Sequence, residues 1–362
     1  EILKDYELPT QELTKRDAYK DFMKLKGIQW PDYLVETDWY ARSEYKWPLS
    51  KKIIRRINRG NDASNYFQQY NRWSVDGTIS PGPVRTWGNP KFMYTLLGSL
   101  FTLEVEKVDR GTLRSCIGLR KYICSQFKPN VAKSIYDMFK AENILDFSMG
   151  WGDRLAGFYA SDYGKHYVGI DPRKENHLIY KEQSEFYEKH LGFFEHERKS
   201  EFHCSPAEEF DFSQYDNHFD LVFTSPPYFN VERYSYDDTQ SWVRYKDIDD
   251  WNTEFLQKTL NNLWRSIKSG GYLLVNISDV NASSKGRKAK GWLPICDPMN
   301  DFLDTFKDSE YKGCIGYEMA KRPNCIGVGT AKVTEETNRK PEYILPDKEG
   351  LFGEPIWIWK KI

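Results

Sequence analysis

From Pro129 onward the chain alternates short apolar runs with longer stretches in which apolar residues recur at helical spacing. Val131, Ile135, Met138 and Phe139 fall on one helical face. Residues 143–147 then read as a buried strand, 153–160 as a helix, and 167–170 as a second strand that stops at Asp171. A long helix is expected over about 174–190, a third strand over 202–204 and a fourth over 221–224. Trp251, Phe255, Leu260, Leu263, Trp264 and Ile267 repeat at helical period until Gly270 and Gly271 end the helix. Residues 272–277 read as a fifth strand, and 314–319 and 355–359 as two final ones. Strands alternating with helices imply parallel crossover units and an open, doubly wound α/β sheet.

The first third lacks this order. Residues 14–26 read as a helix with Tyr19, Phe22, Met23 and Leu25 near one face. Residues 51–59 (Lys-Lys-Ile-Ile-Arg-Arg-Ile-Asn-Arg) set basic groups around an apolar stripe, expected as a helix face. Tyr66, Phe67, Tyr70 and Trp73 follow at helical spacing, and Gly and Pro make 80–90 a loop. The change of pattern divides the chain into a mainly helical, aromatic-rich domain over 1–124 and an α/β domain over 125–362. The sequence carries no internal repeat and no low-complexity segment.

The 362 residues suffice for two domains. With 12 Trp, 24 Tyr and 21 Phe, the chain can fill a core and keep rings for stacking. No run of 18 apolar residues occurs, so no membrane helix is expected. The charged opening residues carry no secretory pattern, and a cytoplasmic setting is expected. Six scattered cysteines without a Cys-x-x-Cys pair argue for a reducing compartment and against a structural zinc site; no metal is expected. Cys204 and Cys314 lie in apolar runs and are expected as core thiols. The net charge of -1 hides an asymmetry: residues 1–124 hold 21 Lys+Arg against 15 Asp+Glu, the remainder 31 against 38. A basic first third points to a bound polyanion.

Residues 219–228 (Phe-Asp-Leu-Val-Phe-Thr-Ser-Pro-Pro-Tyr) carry the sharpest chemistry. A strand is stopped by two prolines, which cannot continue a central ladder. The stiff turn presents the hydroxyl of Ser225, the carbonyl of Pro226 and, beyond Pro227, the ring of Tyr228. Fixed acceptors beside a flat aromatic surface suit the exocyclic amine of an extruded base; a proline-capped strand end is the alternative. After the first strand, Asp146-Phe147-Ser148-Met149-Gly150-Trp151-Gly152-Asp153 forms a loop whose glycines let backbone approach a ligand. Asp171 and Pro172 end the second strand, where an acid can hold ribose hydroxyls or cap a helix. After the third, residues 204–210, with Ala207 and Glu208, form a turn that can edge an adenine or simply cap. Ligands bind beyond the carboxyl ends of such strands.

This succession resembles the S-adenosylmethionine-dependent amino-methyltransferases of DNA. The Ser-Pro-Pro-Tyr turn carries most of the resemblance, which covers about 126–362. It implies a Rossmann-like methyltransferase sheet and S-adenosyl-L-methionine as cofactor. Gln126-Phe127-Lys128-Pro129 sits where the family lays a segment against the methionine end, which gives the gamma-type motif order. By the same resemblance, Ser225, Pro226, Pro227 and Tyr228 are catalytic. Phe127, Pro129, Asp146, Ser148, Gly150, Gly152, Asp153, Asp171, Pro172, Ala207 and Glu208 then hold the cofactor. The family loop usually reads Phe-x-Gly-x-Gly; here Ser-Met-Gly-Trp-Gly follows Phe147, and Ser225 replaces the commoner acid or Asn. DNA is the implied partner, and Phe229, Lys285, Arg287, Lys288 and Lys290, with Lys52, Arg55, Arg56 and Arg59, are its expected contacts. Restriction–modification is the implied setting, with a cognate restriction nuclease left open. Cytosine-N4 against adenine-N6, oligomeric state and a transferred group larger than methyl also stay open. RNA, a protein amide, or a silent nucleic-acid-binding subunit on this fold are the competing readings.

Overall fold

The computed structural model describes residues 7–77, 80–121, 123–192, 198–281, 292–320 and 350–362. Among these residues ten strands form one sheet: β1 (Leu34–Glu36), β2 (Trp39–Tyr40), β3 (Lys52–Ile54), β4 (Asn143–Asp146), β5 (His166–Ile170), β6 (Lys199–His203), β7 (Phe219–Thr224), β8 (Ile267–Asn276), β9 (Ser309–Glu318) and β10 (Leu351–Lys361). Their order is β1-β3-β9-β10-β8-β7-β4-β5-β6, with β2 beside the start of β10. Strands β4 to β8 run parallel, and β10 is inserted antiparallel to both β8 and β9. The doubly wound α/β sheet read from the sequence is therefore observed.

Side chains alternate across this sheet as the pleat requires. Ile144, Tyr167, Leu221, Phe223, Leu274, Ile356 and Ile358 join one core, which the helices Pro129–Met138, Asp153–Ala160 and Lys174–Lys189 cover. Leu145, Val168, Val222, Leu273, Trp357 and Trp359 join the other, beneath Trp251–Gln257, Lys258–Trp264 and Cys296–Leu303. Both faces are buried, so the strands read as continuous apolar runs rather than alternating ones.

The first third is built into this structure. Helices Lys15–Lys26 and Asn61–Trp73 bring Ala18, Phe22, Leu25 and Ala63 into the first core, and Phe22 stacks on Tyr187 at 4.8 Å. Strand β3 pairs parallel with β9, and β1 pairs antiparallel with β3. Trp39 lies over Gly316 and Gly353, where a Cβ would come within 2.8 and 2.9 Å of its ring. Helices Pro90–Thr102 and Arg110–Arg120 gather instead on a separate small cluster of Trp73, Met93, Leu96, Cys116 and Ile117.

Four expectations need correction. Within the stretch expected as a loop, Pro83–Trp87 is a short helix opened by its proline, and the next helix starts at Pro90. Residues 52–54 are a strand, not a helix face, because alternating Ile53 and Ile54 are both buried in the sheet. Gly270 and Gly271 do not end the helix, which stops at Trp264. They form a bulge inside β8, with Gly270 at φ +82° and a register shift between Ile267 and Tyr272. Cys204 is exposed, whereas Cys314 is buried as expected. Among the described residues no helix is long and apolar enough to cross a membrane.

Candidate functional site

The sheet order reverses between β4 and β7: the chain winds outward from β4 through β5 to β6, then returns to β7 on the other side. This is the switch point where strand ends diverge and leave a crevice. The turns after β6, β5, β4 and β7 therefore stand side by side along one edge, in that spatial order. They contain Ser205, Asp171, Gly150 and Ser225 respectively.

The loop after β4 is held from below. Asp146, fully buried, accepts hydrogen bonds from Arg154 Nε (2.7 Å), Tyr167 Oη (2.8 Å), Thr224 Oγ1 (3.1 Å), Arg154 Nη2 (3.2 Å) and the Ser148 amide (3.2 Å). Burial alone would favour a neutral Arg154, but the Asp146 carboxylate outweighs it and raises the guanidinium further. Asp146 is thus a scaffold joining β4, β5, β7 and the loop, not a ligand contact. Gly150 and Gly152 take φ of +56° and +72°. A Cβ on Gly152 would strike Gln183 Oε1 at 2.5 Å, while at Gly150 the nearest atom is the loop's own Ser148 oxygen at 3.9 Å. The open side of the loop is therefore at Gly150, with Ser148. Met149 is buried against Gly169, and Trp151 is 6% exposed. The Trp151 indole donates to the Ser125 carbonyl at 3.2 Å, with Arg173 at 5.2 Å and Tyr234 at 5.8 Å from its ring. These two residues are packing and wall, and each needed its tertiary neighbours to be placed.

Asp171 accepts the Gly150 amide on Oδ2 at 2.9 Å and the Arg173 amide on Oδ1 at 2.9 Å. Burial pushes its carboxyl above the usual range, against the pull of these two amides. Pro172 beside it is partly exposed. After β6 the turn is compact, with Ala207 and Glu208 buried. Glu208 turns its carboxylate to Arg244 Nη1 (3.1 Å) and Tyr245 Oη (3.2 Å). That corrects its place as an adenine contact; Ser205 in the same turn is partly exposed, with its hydroxyl donating to the Pro206 carbonyl at 3.0 Å. Asp153, 2% exposed, accepts from Gln126 Nε2 at 2.9 Å and so ties the segment 126–129 to its helix. Phe127 packs on Tyr317 and Phe223 at 5.1 and 5.8 Å, and Pro129 against Gly60. Asp153, Phe127 and Pro129 are here structural contacts.

At the end of β7, Thr224 is buried and its hydroxyl donates to Asp146, which places the next residue, Ser225, at the edge. Pro227 accepts the Phe229 amide at 3.1 Å. Tyr228 is half-buried, and its hydroxyl donates to Glu354 Oε2 at 2.9 Å. Burial, then Glu354, raises its phenol well above the ordinary value. Phe229, at φ +53°, is fully buried against Trp251 at 6.2 Å. It cannot stack on a ligand, which corrects that expectation.

The basic residues separate into groups. Lys52 and Arg59 are exposed. Arg55 pairs with Glu318 at 2.7 Å, and the Arg56 amide donates to the same carboxylate at 3.2 Å, so the positive charge of this stretch is partly neutralised. Strand β3 lies four strands from β7, away from the crevice. Lys285, Arg287, Lys288 and Lys290 lie outside the described residues.

No protein-family model and no curated protein matches the chain. Among solved structures, TrmN from Thermus thermophilus is similar over 65% of this chain and 49% of that one, at 10% identity and a TM-score of 0.37. The chain thus spans about half the length of that protein. TehB from Haemophilus influenzae is similar over 64% of this chain and 62% of that one, at 13% identity and a TM-score of 0.36. The N-methyltransferase NodS from Bradyrhizobium japonicum WM9 is similar over 61% and 86%, at 10% identity and a TM-score of 0.32. Likenesses this distant leave function to be argued from the chain's own residues.

Proposed function

We propose that this chain transfers a methyl group from S-adenosylmethionine to the exocyclic amine of an extruded base in DNA, N4 of cytosine or N6 of adenine. The spatial order of the turns carries the reading. Along the edge come the Ser205 turn, Asp171, the open loop at Gly150, then the Ser225 turn. That is the covalent order adenine, ribose, methionine, followed by a methyl acceptor. Neighbouring strands lie about 4.8 Å apart, so three steps suit one extended nucleoside-bearing ligand. The fit is supported at Gly150, where backbone leaves room, and at Asp171, each of whose oxygens keeps a lone pair beyond its one amide bond.

The cofactor supplies an electrophilic methyl on a sulfonium. The residues do the rest by position. Asp171 fixes the glycine loop and accepts ribose hydroxyls. Ser225 Oγ and the Pro226 carbonyl accept the two amine hydrogens, which draws the nitrogen lone pair out of conjugation and aims it in line. The Pro227 carbonyl is engaged by Phe229, so Pro226 is the carbonyl left for this task. Tyr228 offers a ring face for the base. No strong base is needed, because orientation and fixed dipoles lower the barrier; the amine, cationic once it has taken the methyl from sulfur, is then acidic enough to lose its surplus proton to water. Mass spectrometry of nucleosides from DNA incubated with protein and cofactor tests the proposal. N4-methylcytosine or N6-methyladenine is expected; modified nucleosides from RNA alone would replace the DNA reading, and none from either would reject it.

A further inference from the structure

Glu354 is the most unusual residue near the crevice. It sits near the start of β10, opposite Tyr317, and is 5% exposed. A glutamate is almost never so buried unless paired. Among the described residues it has two partners, both distant in sequence. Tyr228 donates its hydroxyl to Oε2 at 2.9 Å across 126 positions, and Arg42 Nη2 lies 3.3 Å from Oε1. Arg42 is placed by the fold: β2 pairs with Leu351 and Phe352 of β10, so the chain leaves Tyr40 alongside the strand that carries Glu354. Trp39 is seated on Gly353 and Gly316 and locks that pairing. The side chains of Arg42 and Glu354 are 15% and 7% exposed. The first third of the chain thus reaches Tyr228 through the buried guanidinium of Arg42.

We infer that Arg42 and Glu354 form a positioning pair that sets the plane of the Tyr228 ring for stacking on the target base. The inference rests on the proposed function. A tyrosine stacked on a base must hold its ring plane, yet its two side-chain torsions are otherwise free to shift. Here the hydroxyl end is anchored in the interior while the half-buried ring lies beside the Ser225 turn. Arg42 Nη2 lies against Oε1 and leaves Oε2 turned to the Tyr228 hydroxyl, so the carboxylate is held from one side and holds the ring from the other. Neither Arg42 nor Glu354 touches the reacting atoms; both act through Tyr228.

The test compares Tyr228→Phe, Glu354→Ala, Glu354→Gln and the double variant Tyr228→Phe/Glu354→Ala in the full chain. Tyr228→Phe keeps the ring without the anchor; Glu354→Gln keeps an acceptor without the charge. Single-turnover methyl transfer to DNA should slow about tenfold in Tyr228→Phe and in Glu354→Ala, since small misplacements at a reacting pair cost that much or more. Glu354→Gln should recover most of the rate. The double variant should be no slower than either single, because both remove one interaction. Cofactor Kd should stay within about twofold, which a general loss of structure would not allow. Multiplying effects in the double variant, or a full rate in Tyr228→Phe, would overturn the inference. If Glu354→Ala does not fold, Glu354→Gln takes its place in the same double comparison. A second readout is independent of catalysis: 3-fluorotyrosine at position 228 should change its fluorine resonance when Arg42→Met or Glu354→Gln is introduced. An unmoved resonance would overturn the pair even if wild type methylates DNA, whereas a moved one with no methylation anywhere would reject only the function.

Discussion

Ser225 has the smallest side chain asked to do chemistry, and its effect should appear in rate alone. Ser225→Ala should leave cofactor and DNA affinity nearly intact and lower the single-turnover rate constant about a hundredfold, the scale of losing one fixed polar group at a transition state. A full-rate Ser225→Ala enzyme would remove this turn from the mechanism. Asp171 behaves differently, because its carboxylate also holds the Gly150 amide. Asp171→Ala should weaken S-adenosylmethionine binding at least tenfold, as a charge-assisted bond is worth about 1.5–3 kcal/mol. Calorimetry on the folded variant checks this; an unchanged Kd would reject the ribose role. The places of both at strand ends were legible in the sequence, since a strand run followed by prolines or by an acid marks its end locally. Phe229 and Glu208 were not, because whether a ring or an acid faces a ligand depends on Trp251, Arg244 and Tyr245, all brought in by other elements.

At the scale of elements, the two loop glycines should separate. Gly152→Ala meets both a left-handed φ and the Gln183 side chain. It should lose on the order of 1–3 kcal/mol of stability in denaturant unfolding. Gly150→Ala has the φ cost without the clash, and its added methyl points to the open side; its main defect should be cofactor Kd. Equal stability of the Gly152→Ala variant and wild type would contradict the packing seen here. The sheet edge predicts a pH response. His166 and His218 join ring nitrogens at 2.8 Å, His203 accepts from or donates to Tyr215 at 3.0 Å, and Glu201 lies among them. Burial lowers all three imidazoles below the ordinary 6.5. The unfolded chain therefore binds more protons than the folded one just below that value. Their stability contribution is complete above about pH 6.5 and falls as the pH drops through that value toward the lowered folded pKa values. Melting temperature measured from pH 8 to 5.5 should decline, and His218→Asn should flatten the decline.

For the whole molecule, the pattern change near 124 led to a division in which 125–362 binds cofactor alone. The core argues otherwise. Phe22, Leu25, Ile28, Ile54 and Ala63 are fully or almost fully buried with residues of the later sheet. Each of the four large side chains among them contributes about 1.5–3 kcal/mol by burial, so their sum is comparable to the whole margin of an ordinary domain. Deleting 1–124 should yield an unfolded or aggregated product by circular dichroism. A folded fragment that binds S-adenosylmethionine would restore the division at 124. The first third carries the basic excess, but Arg55 is paired and β3 lies away from the crevice. If duplex DNA is bound as proposed, the salt slope of binding should change little in Lys52→Ala and Arg59→Ala; a slope reduced by about one in either variant would return this stretch to the interface.

The sequence by itself determined the alternation of the main strands and helices over 129–277, the parallel crossovers, and the turns whose glycines, acid and prolines sit at strand ends. These are local: apolar periodicity and backbone restriction act within a few residues. Tertiary structure alone decided that Asp146 is a hub rather than a ligand contact, that Gly270 and Gly271 bulge a strand, and that Lys52–Ile54 joins the sheet. It also decided that Arg42 and Glu354 meet beneath Tyr228. Each of these depends on partners tens to hundreds of positions away. Whether a charge is buried, paired or free is settled by which surfaces close over it, and no local pattern carries that information.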